Sequence, residues 1–111
     1  MAVTAEEQRS VLQAELDRIV SAIIKLGVQK IILFGSLARG DIGRHSDIDL
    51  IVVMETEERF LDRLGRVYEA VGLREVGMDV LVYTPDEFDR LRQTRRFVME
   101  AVAEGKVLYE A

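Results

Sequence analysis

Residues 34 to 53 read FGSLARGDIGRHSDIDLIVV. A Gly-Ser turn (Gly35, Ser36) closes one apolar run, and a second apolar run opens with Asp47 and Asp49. Residues i and i+2 of a strand point to the same face, with Cα atoms roughly 6.6 Å apart. Both carboxylates can therefore reach one hard cation or share two. Mg²⁺ is the expected partner, because charges on an otherwise apolar strand need one.

A third acid stands in a later apolar run. Asp79 lies in the segment GMDVLVY, where Leu81 and Tyr83 share its face. If this strand neighbours the one that carries Asp47 and Asp49, three carboxylates meet in one cluster, and they would repel strongly without cations. Two Mg²⁺ ions about 3.5–4 Å apart would relieve the repulsion and clamp the attacking and leaving oxygens of a phosphoryl transfer.

The Gly-Ser turn supplies the second half of a phosphate site. Gly35 lets the backbone turn sharply and approach a phosphate closely, and Ser36 offers a hydroxyl at the start of a short helix or loop. Arg39 follows about one turn later and can neutralise a phosphate, although a salt bridge with Asp41 or another acid is an equal alternative. The loop before the acidic strand adds two further candidate ligand contacts, Arg44 and His45.

Hydrophobic periodicity around this core predicts the order αβαβαβα. The predicted strands cover residues 28–34, 47–54 and 76–83, and residues 106–109 are a candidate edge strand. The predicted helices run up to Gly27, across residues 56–71, and from Pro85 to Gly105 with a break near Thr94. The buried stripe predicted for the 56–71 helix is Phe60, Leu61, Leu64, Val67, Tyr68 and Val71.

Composition excludes several classes of protein. The 111 residues suggest one domain spanning 1–111, and the absence of cysteine excludes disulfides and thiolate chemistry. No run of 18 apolar residues suggests a membrane span, and no secretory signal is visible, so a cytoplasmic location is expected. The net charge of −5 argues against direct, charge-driven binding of nucleic acid.

The spacing of Phe34-Gly35-Ser36, Asp47-Ile48-Asp49 and Asp79 resembles the DNA polymerase β-like nucleotidyltransferase superfamily. The segments GSLARG and SDIDL are similar in particular to the minimal nucleotidyltransferases, small prokaryotic proteins that are little more than a catalytic core. The resemblance implies an α/β fold with a small mixed sheet of about three strands flanked by helices.

The resemblance also implies an activity. It is the transfer of a nucleoside monophosphate, AMP from ATP or the equivalent from another nucleoside triphosphate, with pyrophosphate leaving. Asp47 and Asp49 would hold the metals, Asp79 would complete the site and help to activate the acceptor hydroxyl, and Gly35 and Ser36 would grip the triphosphate. Minimal members are commonly paired with a HEPN-domain toxin as its antitoxin, and some transfer AMP to a tyrosine of the toxin, which would make this chain a protein adenylyltransferase.

Two other functions stay open. The chain could be a binding module that neutralises a partner by contact, or it could transfer a nucleotide to a small molecule. The three intact acids favour catalysis, since binding alone would not require them. Candidate docking residues near the C-terminus, which could equally cover the protein's own sheet, are Phe97, Val98, Val107 and Leu108. The sequence does not specify the acceptor, the base preference or the oligomeric state.

Overall fold

The computed structural model describes residues 4–41 and 47–111. Its elements are α1 Ala5–Ile24, β1 Lys30–Phe34, α2 Gly35–Arg39, β2 Ile48–Val53, α3 Phe60–Val71, β3 Met78–Tyr83, α4 Pro85–Thr94, α5 Arg96–Glu104 and β4 Lys106–Glu110. The predicted order is confirmed, and the candidate edge strand at the C-terminus is present as β4. The other three strands are slightly shorter than the apolar runs that predicted them.

The strands form one mixed sheet in the order β3-β2-β1-β4. β1 pairs antiparallel with β2 and with β4, whereas β2 and β3 run parallel. The pairing of β1 with β4 shifts register between Ile31 and Ile32. The expected α/β fold with a small mixed sheet is therefore confirmed, with four strands where about three were predicted.

The two faces of the sheet carry separate apolar clusters. Helices α1 and α3 cover one face, where side chains such as Ile19 and Val67 pack against Leu50 and Val52. Helices α4 and α5 cover the other face, where Phe88 and Val98 pack with the remaining strand side chains. This division follows from the alternation of side chains along each strand.

Helix α4 begins and ends where the sequence indicates. Thr84 accepts a hydrogen bond from the Glu87 amide and the Glu87 side chain accepts one from the Thr84 amide, which together form a capping box, and Pro85 occupies the first turn. Arg95 adopts an extended conformation (φ −102°, ψ 117°) and separates α4 from α5. The predicted break near Thr94 is thereby confirmed.

The prediction for α3 is wrong in three respects. The helix begins at Phe60, not at residue 56. Phe60 is 38% exposed and Leu61 is 76% exposed, although both were assigned to the buried stripe. Side chains two positions apart point to opposite sides of a helix. Because Arg63 faces inward and is only 8% exposed, Leu61 must face solvent.

Arg63 ties α3 to β3 and α4. Its guanidinium donates to the Glu58 carbonyl (2.8 Å) and the Val82 carbonyl (3.3 Å), and forms an ion pair with Glu87 (2.6 Å). The same ion pair, more than any other contact, lowers the pKa of Glu87. The Arg63 guanidinium can be buried because its N–H groups donate to these two carbonyls and to the Glu87 carboxylate.

The candidate docking residues near the C-terminus differ in their exposure. Val98 is buried against the sheet, so it is not an exposed docking residue, whereas Phe97 and Val107 are more than half exposed. Among the described residues, no helix combines the length and the apolar character that crossing a bilayer requires.

Candidate active site

One rung of the sheet brings two of the three predicted acids, Asp49 and Asp79, together. Phe34, the last residue of β1, is the register partner of Asp49 in β2, and Asp49 is the register partner of Asp79 in β3. Register partners point to the same face, so these three side chains lie in a row across three strands. Ile51 and Val53 lie on the same side of β2 as Asp49, and they pack with residues of α4 and α5. The row therefore lies on the face of the sheet that α4 and α5 cover.

Gly35 is fitted against the Asp49 side chain. A Cβ atom placed on Gly35 would lie 3.0 Å from the Asp49 Cγ and collide with one carboxylate oxygen. The φ angle of Gly35 is +76°, a conformation that L side chains rarely adopt. The turn of the Gly-Ser motif and the second acid of the Asp-x-Asp motif are therefore in direct contact, although 13 positions separate them in the sequence.

Asp47 lies just before β2 and reaches the chain that enters β3. A Cβ atom on Gly77 would lie 2.7 Å from the Asp47 Cγ, so the Asp47 carboxylate could keep this position only beside a glycine. The Ile48 amide donates to the Gly77 carbonyl (2.9 Å), which fixes the two segments side by side. No role was predicted for Gly77 from the sequence, although it lies only two residues before Asp79.

The carboxylates of the candidate site repel one another. Burial, followed by the negative charges of Asp79 and Asp47, raises the pKa of Asp49 to about 6 from 3.8, and a hydrogen bond between the Asp49 and Asp79 side chains acts in the same direction. Asp49 is partly buried, whereas Asp47 and Asp79 are exposed. Three carboxylates thus influence one another at a place that solvent and ligands can reach.

The donor set suits a magnesium ion that is shared with a substrate. Within residues 4–41 and 47–111, no three His, Cys, Asp or Glu side chains are grouped so that they alone could hold a metal ion. Mg²⁺ is usually held by one or two carboxylates together with waters and substrate phosphates. The neighbouring carboxylates of Asp49 and Asp79 meet this smaller requirement, so the residues present fit a metal that arrives with a nucleotide.

Arg39 forms ion pairs in this structure, as one of the two alternatives for it predicted. Its guanidinium lies 3.5 Å from the Asp41 carboxylate and 3.4 Å from that of Glu104 on α5. Both distances are long and all three side chains are exposed, so the pairs hold Arg39 only weakly. Its positive charge also acts on Asp49, whose pKa it lowers slightly against the dominant rise. A phosphate contact is left as a prediction.

Ser36 lies in the first turn of α2, and its carbonyl accepts a hydrogen bond from the Asp41 amide (2.9 Å). The phosphate-binding role predicted for its hydroxyl is not tested by this contact. Arg44 and His45, the other candidate ligand contacts, lie outside the described residues.

Comparison with known proteins defines the class of this chain. Residues 14–106 match the family model described as "Nucleotidyltransferase domain". The chain belongs to this family and is a nucleotidyltransferase. A protein of Methanocaldococcus jannaschii named "Putative protein adenylyltransferase MJ0604" is 32% identical over 83 residues, which cover 74% of this chain and 79% of that protein.

Solved structures share the fold. A structure described as a "putative nucleotidyltransferase" from Sulfolobus solfataricus has a TM-score of 0.63 at 22% identity, covering 95% of this chain and 85% of that one. A toxin-antitoxin structure with AMP-PNP has a TM-score of 0.58 at 22% identity, covering 86% and 73% of the two chains. A mutant of the toxin-antitoxin MntA-HpeT has a TM-score of 0.57 at 20% identity, with the same coverage.

Proposed function

We propose that residues 1–111 act as one minimal nucleotidyltransferase domain that transfers AMP from ATP to a hydroxyl side chain of a partner protein, with Mg²⁺ as cofactor. The partner is a toxin of the HEPN class, and the chain is its antitoxin. The observation that carries this proposal is the row of Asp49 and Asp79 on neighbouring parallel strands, with Gly35 packed against the Asp49 carboxylate.

Each part of the site has a role in the transfer. The acceptor oxygen forms a bond to the α-phosphorus, the bond between that phosphorus and the bridging oxygen breaks, and pyrophosphate leaves. Asp79 is exposed and can receive the hydroxyl proton of an acceptor that approaches from solvent. Asp49 and Asp79 would hold Mg²⁺ together with the substrate phosphates, and Asp47, which lies beside them, would add a further ligand when the metal binds. The metal would neutralise charge on the phosphates and on the attacking and leaving oxygens.

The nucleotide side of the site is formed by the turn that follows β1. Gly35 lets the triphosphate approach the backbone, and Ser36 offers a hydroxyl at the first turn of α2. Arg39 is held only by long, exposed ion pairs, so it can exchange a carboxylate for a phosphate at small cost. In this proposal, Arg39 and the start of α2 contact the triphosphate, and Asp79 faces the acceptor hydroxyl.

A protein acceptor is supported by the relatives. The M. jannaschii relative is named as a protein adenylyltransferase, and two structures of the same fold are toxin-antitoxin structures, one of them with AMP-PNP. In one MntA-HpeT mutant, two aspartates two positions apart are replaced by glutamate, a spacing that matches Asp47 and Asp49 here. The acidic net charge of −5 favours a basic surface on the partner.

The test is intact-mass measurement of the protein encoded beside this chain after incubation with the chain, ATP and Mg²⁺. We expect the mass of the partner to rise by one AMP unit, and we expect no rise with the Asp47→Asn/Asp49→Asn variant or with EDTA. The modified side chain is then located by peptide mapping, and tyrosine is the expected residue. If the partner is bound and silenced while its mass stays constant, the chain acts by binding and the catalytic proposal is wrong.

A further inference from the structure

An exposed aromatic ring lies beside the acidic row. Phe34 occupies the same rung of the sheet as Asp49, and the ring of Phe97 packs on the ring of Phe34 with the centroids 5.6 Å apart and the planes at 89°. Phe97 is the second residue of α5. The ring of Phe97 is therefore joined to the active-site row through Phe34, which lies at the end of the row opposite Asp79.

Phe97 presents much of its ring to solvent, unlike the buried residues of the same helix. Its side chain is 56% exposed, whereas α5 buries Val98 and Ala101 against the sheet. In an edge-to-face pair one ring contacts the other through an edge. With more than half of its surface open, Phe97 offers apolar ring surface to a ligand while Phe34 holds the ring in place. An aromatic ring beside a phosphate-binding turn is a suitable surface for the stacking of a base.

We propose, on the basis of the function proposed above, that Phe97 stacks on the base of the bound nucleoside triphosphate. Asp49 and Phe34 are directly opposed on neighbouring strands and the Phe97 ring packs on Phe34, so a single side chain separates Phe97 from the carboxylate. The ribose of a bound nucleoside triphosphate lies between the α-phosphate and the base. From an α-phosphate at the carboxylates, the ribose can place the base against the exposed ring of Phe97.

The position of Phe34 favours a base over a partner protein as the occupant. Phe34 is bonded directly to Gly35, so the surface that supports Phe97 and the turn that would hold the phosphates are consecutive residues. A single ligand with an anionic end and a flat aromatic end matches both. Aromatic stacking accepts any base because every base has a π face, so Phe97 would add affinity without choosing between bases.

The experiment compares two probes that differ by a nucleoside. The first is α,β-methylene-ATP with Mg²⁺, in which the carbon bridge prevents loss of pyrophosphate. The second is inorganic tripolyphosphate with Mg²⁺, which has no base. For Phe97→Ala we expect about tenfold weaker binding of α,β-methylene-ATP and unchanged binding of tripolyphosphate. Met99→Ala is the matched control, since Met99 is 47% exposed on the same helix, and it should change neither affinity.

Two further variants separate stacking from packing. Phe97→Leu keeps an apolar contact with Phe34 but removes the aromatic face, so it should lose affinity for the nucleotide analogue as the alanine variant does. Phe97→Trp should retain that affinity. Because the chain has no tryptophan, the introduced indole is its only tryptophan fluorophore and can be excited apart from the three tyrosines; α,β-methylene-ATP should quench it whereas tripolyphosphate should not.

The outcomes distinguish this inference from the proposed function. If wild-type protein binds both probes and Phe97→Ala or Phe97→Leu binds the analogue as tightly as wild type, the stacking role is wrong and the proposed function is unaffected. If wild-type protein binds neither probe, both are wrong. A loss of affinity confined to the analogue, together with quenching in the tryptophan variant, supports the stacking role.

Discussion

Replacing Asp49 by asparagine is expected to stabilise the metal-free protein at neutral pH. Burial and the charges of Asp79 and Asp47 raise the pKa of Asp49 from 3.8 to about 6. Between these two values the folded protein keeps a proton that the unfolded chain has already lost. The free energy of unfolding therefore falls as the pH rises through this window. An asparagine has no charge to develop and can still share a hydrogen bond with Asp79, so the variant escapes this loss.

The size of the effect follows from the shift in pKa. One pKa unit corresponds to about 1.4 kcal/mol, so a shift of about two units sets an upper limit near 3 kcal/mol. Asp49 is partly open to solvent, which screens the repulsion, and we therefore expect about 1–2 kcal/mol at neutral pH. For a chain of this length, that difference raises Tm by roughly 4–8 °C.

Urea unfolding in the presence of EDTA, at pH values from about 4 to about 7, measures the difference directly. The gap between the variant and wild type should widen as the pH rises. Asp17→Asn is the control, because Asp17 is an exposed acid on α1 away from the site, and it should stay within about 0.5 kcal/mol of wild type throughout. Added Mg²⁺ should stabilise wild type more than Asp49→Asn. A gap that is constant across the pH range, or a less stable variant at neutral pH, would refute the electrostatic reasoning.

Three further predictions concern the same site. The double variant Asp47→Asn/Asp49→Asn should lose AMP transfer and keep its circular dichroism spectrum; transfer at the wild-type rate would exclude the metal role. Ser36→Ala should weaken binding of ATP with Mg²⁺ by roughly tenfold, as expected for one hydrogen bond to a charged group, with little change in stability; equal affinities in calorimetry would leave Ser36 as a turn residue. Gly35→Ala should lower the free energy of unfolding by about 2–3 kcal/mol, and more than Gly40→Ala, because both glycines have positive φ but only Gly35 touches Asp49; equal losses in urea unfolding would argue against that contact.

The Gly-Ser and Asp-x-Asp motifs could be predicted from the sequence because each depends only on residues that are close neighbours along the chain. Alternation along a strand places Asp47 and Asp49 on one face, and an apolar run that ends at Gly35-Ser36 predicts a strand followed by a turn. The capping box at Thr84 likewise depends only on residues that are neighbours in sequence. The position of Asp79 beside Asp49 was conditional, because it requires that the second and third strands be adjacent, and only the folded sheet decides that.

The errors on α3 arose from contacts that the sequence does not display. Thr56 resembled a helix start, but its hydroxyl accepts from the Glu58 amide (3.1 Å) in a local turn that precedes the helix. Arg63 was not among the residues predicted to be buried, but Glu87, on a different helix, neutralises it inside the protein. Propensity and periodicity carry no signal for such an ion pair, so the inward face of α3 was assigned to Leu61 instead.

The position of Asp49 on β2 connects the repulsion between the carboxylates with the proposed binding of Mg²⁺. The residues of β2 other than Asp49 are buried, so a well-packed strand holds the backbone of this one acid beside Asp79. A cation that neutralises the two carboxylates removes the repulsion between them, and this favours its binding. Asp49→Asn should therefore stabilise the metal-free protein at neutral pH and at the same time weaken its binding of Mg²⁺, because the substitution removes both the repulsion and the charge of a ligand oxygen.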